Sequence, residues 1–322
     1  MKIIGMIPVF NEADIIGSVI EHNLSQGLEL VIFDTGSTDG SYEICSRYLG
    51  NGVVSLERVA SAKFEFSLFS ETLYKMALKH NPDWAMWSSA DEFHESPYPG
   101  MLLKQSVEKE AERGYNLIQF NNFEFWPTEC DRDSTESDVR KRLRYYTWND
   151  DCQFHCWKVY DGINVGDGGG HYPTFPKNVP VRLAPTKYVL RHYRIRSYAQ
   201  GMKKVFVDRL PRYSESERRK GWHLHYDKFE SDESFFVIDS RNLNRYEEDG
   251  RWVVKKTFDW TGGMQGIPWA NPPVPLSRSI RVANRLPFAA NVWKRMFLRK
   301  HRTPTRVRRS GNRDDEDVQT RN

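Results

Sequence analysis

Apolar runs of strand length alternate with stretches of helical spacing through the first 120 residues. Lys2 to Ile7 is rich in isoleucine and is ended by Pro8, which predicts a short first strand. Asn11, with Asp14 three residues later, predicts a capped helix whose Ile15, Ile16, Val19, Ile20 and Leu24 share one face. Leu28 to Phe33 predicts a second strand, after which Asp34 to Gly40 supplies turn chemistry and Ser41 a cap for the next helix. The unit then repeats. Val53 to Leu56 reads as a strand, Ser67 to His80 as a helix with Leu68, Leu73, Met76 and Ala77 turned inward, and Trp84 to Ser88 as a fourth strand. Strands separated by helices imply right-handed crossovers and a Rossmann-like α/β fold, a mostly parallel sheet flanked by helices with ligands held beyond the carboxyl ends of its strands.

Past a helix expected near Tyr98 to Arg113, the strand-like run Tyr115 to Trp126 opens a region richer in aromatics, glycine and proline. This divides the chain into 1–120, 121–270 sharing the same sheet, and 271–322. Helical spacing returns over Tyr198 to Leu210, Pro272, Pro273 and Pro275 read as a linker, and disorder is expected from about Pro304. With 39% hydrophobic and 13% aromatic residues in 322, the chain can bury a substantial core, which excludes wholesale disorder.

Charge changes the picture more than composition does. The formal net charge is +4, but residues 278–309 hold eleven Lys or Arg and no acid, and the last thirteen hold two Arg against four acids. Residues 1–277 are therefore at −5, a mildly acidic body with a basic segment behind it. The four cysteines, Cys45, Cys130, Cys152 and Cys156, are too few for a disulfide framework and read as reduced thiols; without CxxC spacing they do not read as a zinc site with His155. The opening apolar run is too short for an export signal and no eighteen apolar residues run together. The expectation is a cytoplasmic chain, with any membrane contact peripheral.

Three polar, acidic loops leave the carboxyl ends of the predicted strands: Pro8 to Asn11, Asp34 to Gly40 and Ser89 to Glu95. Singly, such residues are ordinary turn formers and caps. Together, Asn11, Glu12, Asp34, Asp39, Asp91 and Glu92 would meet at one sheet edge. Clustered carboxylates repel, and a divalent cation, Mg²⁺ or Mn²⁺ bridging two phosphates, is the simplest way to hold several of them ionised.

In sequence and order, Pro8-Val9-Phe10-Asn11-Glu12, Ile32-Phe33-Asp34-Thr35-Gly36-Ser37-Thr38-Asp39-Gly40-Ser41 and Trp87-Ser88-Ser89-Ala90-Asp91-Glu92-Phe93 resemble family 2 glycosyltransferases of the GT-A fold. The resemblance is specific over residues 1–95 and implies nucleotide-binding roles for Pro8, Asn11, Glu12, Asp34, Asp39, Ser89 and Asp91. It makes the third loop the counterpart of the DxD motif, with Asp91 as metal ligand and Ser89 standing where an Asp is usual. It further implies a second metal ligand from a late histidine, here His192, with His94 as a substitute. The donor it implies is a nucleotide-sugar, a UDP-sugar foremost, with a glycan or lipid-linked hydroxyl as acceptor and cell-surface glycan synthesis as the setting.

Inverting transfer needs a carboxylate that takes the acceptor proton while the diphosphate departs from the opposite face. Asp167, isolated among Gly166, Gly168, Gly169 and Gly170, is the expected base, with Glu124, Asp150 and Asp151 as rivals. Lys203, Lys204, Arg191, Arg194 and Arg196 are placed to face a diphosphate, though most read as solvated. The basic stretch 278–309, interleaved with Trp293 and Phe297, reads as a contact with an anionic membrane surface in preference to nucleic acid. A nucleotidyltransferase is disfavoured because the first loop lacks the Gly-rich, basic sequence a triphosphate needs; a non-catalytic carbohydrate-binding protein is the remaining alternative, supported by Ser89.

Overall fold

The computed structural model describes residues 1–61, 63–219, 226–227, 229–247, 257–259 and 263–265. The expected linker and the basic segment 278–309 lie outside these residues.

Strand β1 (Ile3–Val9), helix α1 (Ile16–Ser25), β2 (Glu29–Asp34), α2 (Ser41–Ser46), β3 (Val53–Arg58), α3 (Phe66–Leu78) and β4 (Trp84–Trp87) follow one another as the spacing predicts. The strands pair in parallel in the order β3-β2-β1-β4. β1 and β4 are buried along nearly their whole length, which is why they read as unbroken apolar runs with no alternation. The sheet then continues through β7 (Tyr145–Lys158), β6 (Leu117–Trp126), β8 (Tyr188–His192) and β5 (Glu92–Glu95). Here the pairing is mixed: β7 runs antiparallel to β4 and β6, β8 parallel to β6, and β5 antiparallel to β8. β6 passes residue 120 without a break, and both its edges are paired, so the N-terminal and aromatic-rich regions are one sheet. Its core includes the fully buried Trp84, Trp87, Trp126 and Trp157.

Local details differ from the spacing. α3 turns Phe69, Leu73, Met76 and Ala77 inward, and Leu68 is exposed; Leu68 sits about 100° around the helix from the Phe69 stripe. α1 begins at Ile16 with no side-chain cap, because Asn11 is used otherwise: it takes a left-handed φ of 53°, accepts from the Thr38 N–H and donates its amide to Asp208. Ser41 is the first residue of α2 and not its cap, and its hydroxyl accepts the Glu12 N–H and donates to Asp39. The helix expected over Tyr98 to Arg113 is α4 (Leu103–Glu112), and that over Tyr198 to Leu210 is α6 (Tyr198–Met202), numbered after the single turn α5 (Val139–Arg142), running on into a wide π-helical turn over Lys203–Arg209.

Parallel register is what assembles the site. Val9 lies opposite Asp34 and Met6 opposite Trp87, so the chains leaving β1, β2 and β4 emerge side by side. The Thr35 N–H donates to the Val9 carbonyl and the Ser88 N–H to the Met6 carbonyl, carrying the pairing into the loops themselves.

Candidate functional site

At that edge lies a cleft. Its floor is Pro8, Val9, Glu12, Thr35, Ser89, Ala90, Asp91 and Glu92 from the three loops; its walls are Phe64, Phe66 and Phe69, His171 and His192, Arg194, Lys204 and Arg209, and Tyr213 and Tyr226. The cations come from a stretch of sixteen residues after β8. β8 delivers His192 beside Glu92 of β5, and the wide turn brings Lys204 and Arg209 round to one face.

The acids of the floor are met by these cations. Lys204, 4% exposed, places its Nζ 2.6 Å from Glu12 Oε1 and 2.7 Å from Asp91 Oδ2. Arg196, 2% exposed, donates to Glu12 Oε2 at 2.6 Å, to both Asp14 oxygens at 2.7 Å and to the Tyr193 carbonyl at 2.9 Å. Arg209 approaches Glu12 Oε1 at 3.5 Å, and His192 Nε2 lies 3.5 Å from Asp91 Oδ1. Burial alone would raise the Asp91 carboxyl, but the Lys204 ammonium and His192 outweigh it and hold the group well below the usual carboxylate range. In return Asp91 holds His192 above the ordinary imidazole value against the effect of burial.

Beneath this layer Glu92, His94 and His155 form a buried cluster of metal-ligating type, their nearest ligand atoms all within 4.8 Å. His94 Nε2 and His155 Nδ1 share a hydrogen bond at 3.0 Å, and Glu92 Oε2 accepts the Ser89 N–H at 2.8 Å. Burial lowers His94 to about 3 and His155 well below its ordinary value, so both imidazoles are neutral at pH 7. Burial, with the Asp91 charge adding to it, raises the Glu92 carboxyl to about 7.

Of the residues expected from sequence, Pro8, Glu12, Ser89, Asp91 and His192 line the cleft together. Asp34 is fully buried just behind Thr35; its Oδ1 accepts from the Gly36 and Ser37 N–H groups at 3.0 Å and lies 3.3 Å from Arg58, while its Oδ2 has no partner among the described residues. Asn11 and Asp39 tie loops together, Asp39 by accepting from Ala13 and Ser41, and neither lines the cleft. Asp167 is exposed and outside the lining; its glycines have a packing reason. A Cβ at Gly168 would overlap the Tyr172 carbonyl, and one at Gly170, which has φ of 86°, would overlap the Trp87 ring. His94, expected in an exposed loop, is a buried strand residue. Of the five late cations expected mostly in solvent, Lys204 and Arg196 are buried on Glu12, Arg194 lines the cleft beside Glu124, Arg191 pairs with Glu95, and only Lys203 has a half-exposed side chain, paired with Asp208. His155, set aside in the sequence as a zinc ligand with the cysteines, lies instead with Glu92 and His94. Arg209 and His171 are site residues that the sequence does not single out; the one signal for Arg209 is its five-residue spacing from Lys204.

These donors can be tested against the divalent ion that a GT-A fold implies. Asp91 and His192 are brought together, as expected. Yet each of the four carboxylate oxygens of Glu12 and Asp91 already has a side-chain nitrogen within 3.5 Å, and Ser89 offers a hydroxyl where a second carboxylate would be needed. As arranged, the Asp91 site does not fit a divalent cation.

Residues 6–105 match the family model for Glycosyl transferase family 2. No curated protein sequence matches the chain. Among solved structures, S. aureus TarS 1–349 is 10% identical, with 60% of this chain and 61% of that one covered and a TM-score of 0.38. Its complex with UDP is 11% identical over 60% of each chain, with a TM-score of 0.36, and the longer TarS structure is 11% identical over 68% of this chain and 42% of that one, again at 0.36. The chain spans about three fifths of the length of the TarS 1–349 structures it matches. The family match falls on the three loops that floor the cleft, so residues 6–105, the part of the chain that builds that floor, are similar to glycosyl transferase family 2.

Proposed function

We propose that the chain transfers a sugar, with inversion, from a nucleoside diphosphate sugar to a hydroxyl of a glycan or lipid-linked acceptor. The observation that carries this reading is the cleft itself: the loops after β1, β2 and β4 meet in one place, faced by Arg194, Lys204 and Arg209, a set of cations suited to a departing diphosphate. A UDP-sugar is the first donor to test.

For the base, the cleft offers three carboxyls. Glu12 and Asp91 are bound to cations, which leaves Glu92, whose carboxyl at about 7 is matched to taking a hydroxyl proton at neutral pH. Asp167, outside the lining, is the comparison. A membrane-bound acceptor would be reached without a spanning segment in the described part, where no helix is long and apolar enough to cross a bilayer.

A thermal-shift panel of nucleotide-sugars tests the donor, followed by transfer assays on Glu92→Gln and Asp167→Asn. Stabilisation by one nucleotide-sugar, with turnover lost in Glu92→Gln and kept in Asp167→Asn, is expected. No stabilisation by any of them sinks the transferase reading, and the reverse pattern of turnover moves the base to Asp167. Donor binding without transfer or hydrolysis would leave a carbohydrate-binding protein, the reading that Ser89 favours.

A further inference from the structure

We propose that this cleft binds a nucleoside diphosphate without a divalent metal, with the Lys204 ammonium doing the work of the ion. The inference rests on the transferase reading and concerns how the diphosphate of that donor is neutralised.

Position comes first. Lys204 sits between Glu12 of the first loop and Asp91 of the third, the place where a cation would have to sit to hold both acids ionised. It is fixed there by the π-helical turn Lys203–Arg209, which also supplies Arg209 to the same wall. The vacancies are filled next: with Lys204, Arg196, Arg209 and His192 on the oxygens of Glu12 and Asp91, a metal would have to displace a buried ammonium or guanidinium to gain a carboxylate. Charge points the same way. A divalent ion added beside Lys204 and Arg209 would be repelled by both, whereas a diphosphate would be attracted by both.

Valence then gives Lys204 its task. An ammonium has three N–H donors. Two are committed to Glu12 and Asp91, and the third is left for a phosphate oxygen in the cleft that Lys204 lines. The carboxylates therefore act as the grip on the lysine, and the lysine, with Arg194 and Arg209, acts as the grip on the diphosphate. Ser89 fits this scheme, because a metal-free site has no use for a second acid at that position.

The test is calorimetric titration of the full chain with UDP, GDP and inorganic pyrophosphate, in EDTA and again in excess Mn²⁺. Equal affinity in the two buffers, within about twofold, is expected for whichever of these binds. Lys204→Met should weaken it about 10- to 100-fold, the range for removing a hydrogen bond to a charged group. An affinity at least tenfold higher in Mn²⁺ than in EDTA overturns the proposal, and so does Lys204→Met binding as the unaltered protein does. The buffer comparison needs no variant and stands even where Lys204→Met does not fold. If none of the three probes binds in either buffer, the transferase reading fails and takes this inference with it.

Discussion

Arg196→Met removes one charge from the centre of the acid and cation network while keeping a stem of similar length. Its effect divides into two parts. Asp14, whose side chain is 51% exposed, loses its partner but regains water, so that half of the interaction is worth at most about 1 kcal/mol. Glu12, 2% exposed in its side chain, loses the only partner that Oε2 has among the described residues and stays buried. Removing one member of a buried pair costs roughly 3–5 kcal/mol, and because Lys204 still neutralises Oε1 the lower end applies, about 3 kcal/mol. The buried side therefore dominates. Urea unfolding should show a loss of about 3 kcal/mol, and adding Glu12→Gln should return part of it, since a neutral amide left without the guanidinium costs less than a carboxylate. A loss below about 1 kcal/mol for Arg196→Met, or a double variant less stable than the single one, would refute the view that Glu12 depends on Arg196 for its charge.

Gly170→Ala places a Cβ against the Trp87 ring at a left-handed φ, so strain and overpacking should together cost about 2–4 kcal/mol in urea unfolding. A change within about 0.5 kcal/mol would mean the loop does not pack there. The buried histidines make stability fall in mild acid. His94, lowered by burial to about 3, His171, lowered by burial to about 4, and His155 take up no proton in the folded state where unfolded imidazoles do, so their contribution is complete above about pH 6.5 and is lost as pH falls below it. Glu92, raised by burial to about 7, works in the opposite sense by binding a proton on folding, which offsets one of the three. His22, also lowered by burial, adds to the loss, so the net is at least about two protons, or roughly 2–3 kcal/mol or more per pH unit between about pH 6 and 5, and a urea midpoint that stays flat over that range would contradict it.

What the chain's pattern discloses and what it conceals divide on physical lines. The strands and helices up to β4 are written in local terms, β-branched runs, 3.6-residue spacing and turn residues, and parallel pairing then obliges the loops carrying Glu12, Thr35 and Asp91 to meet. Clustered acids demand positive charge, but the local pattern does not show where that charge comes from, because the contact that supplies it joins residues 192 positions apart. A lysine in an amphipathic stretch looks the same in sequence whether it ends in water or on two buried carboxylates; what distinguishes them is where the helix docks, a tertiary fact. The same holds for Asp167, whose glycines look permissive for a ligand until Trp87 and the Tyr172 backbone are found pressed against them. Ser89 was the one legible clue. Where an acid is missing from a metal motif, the charge balance has to be struck by something else, and a basic run one helix away in the fold is the place to look for it.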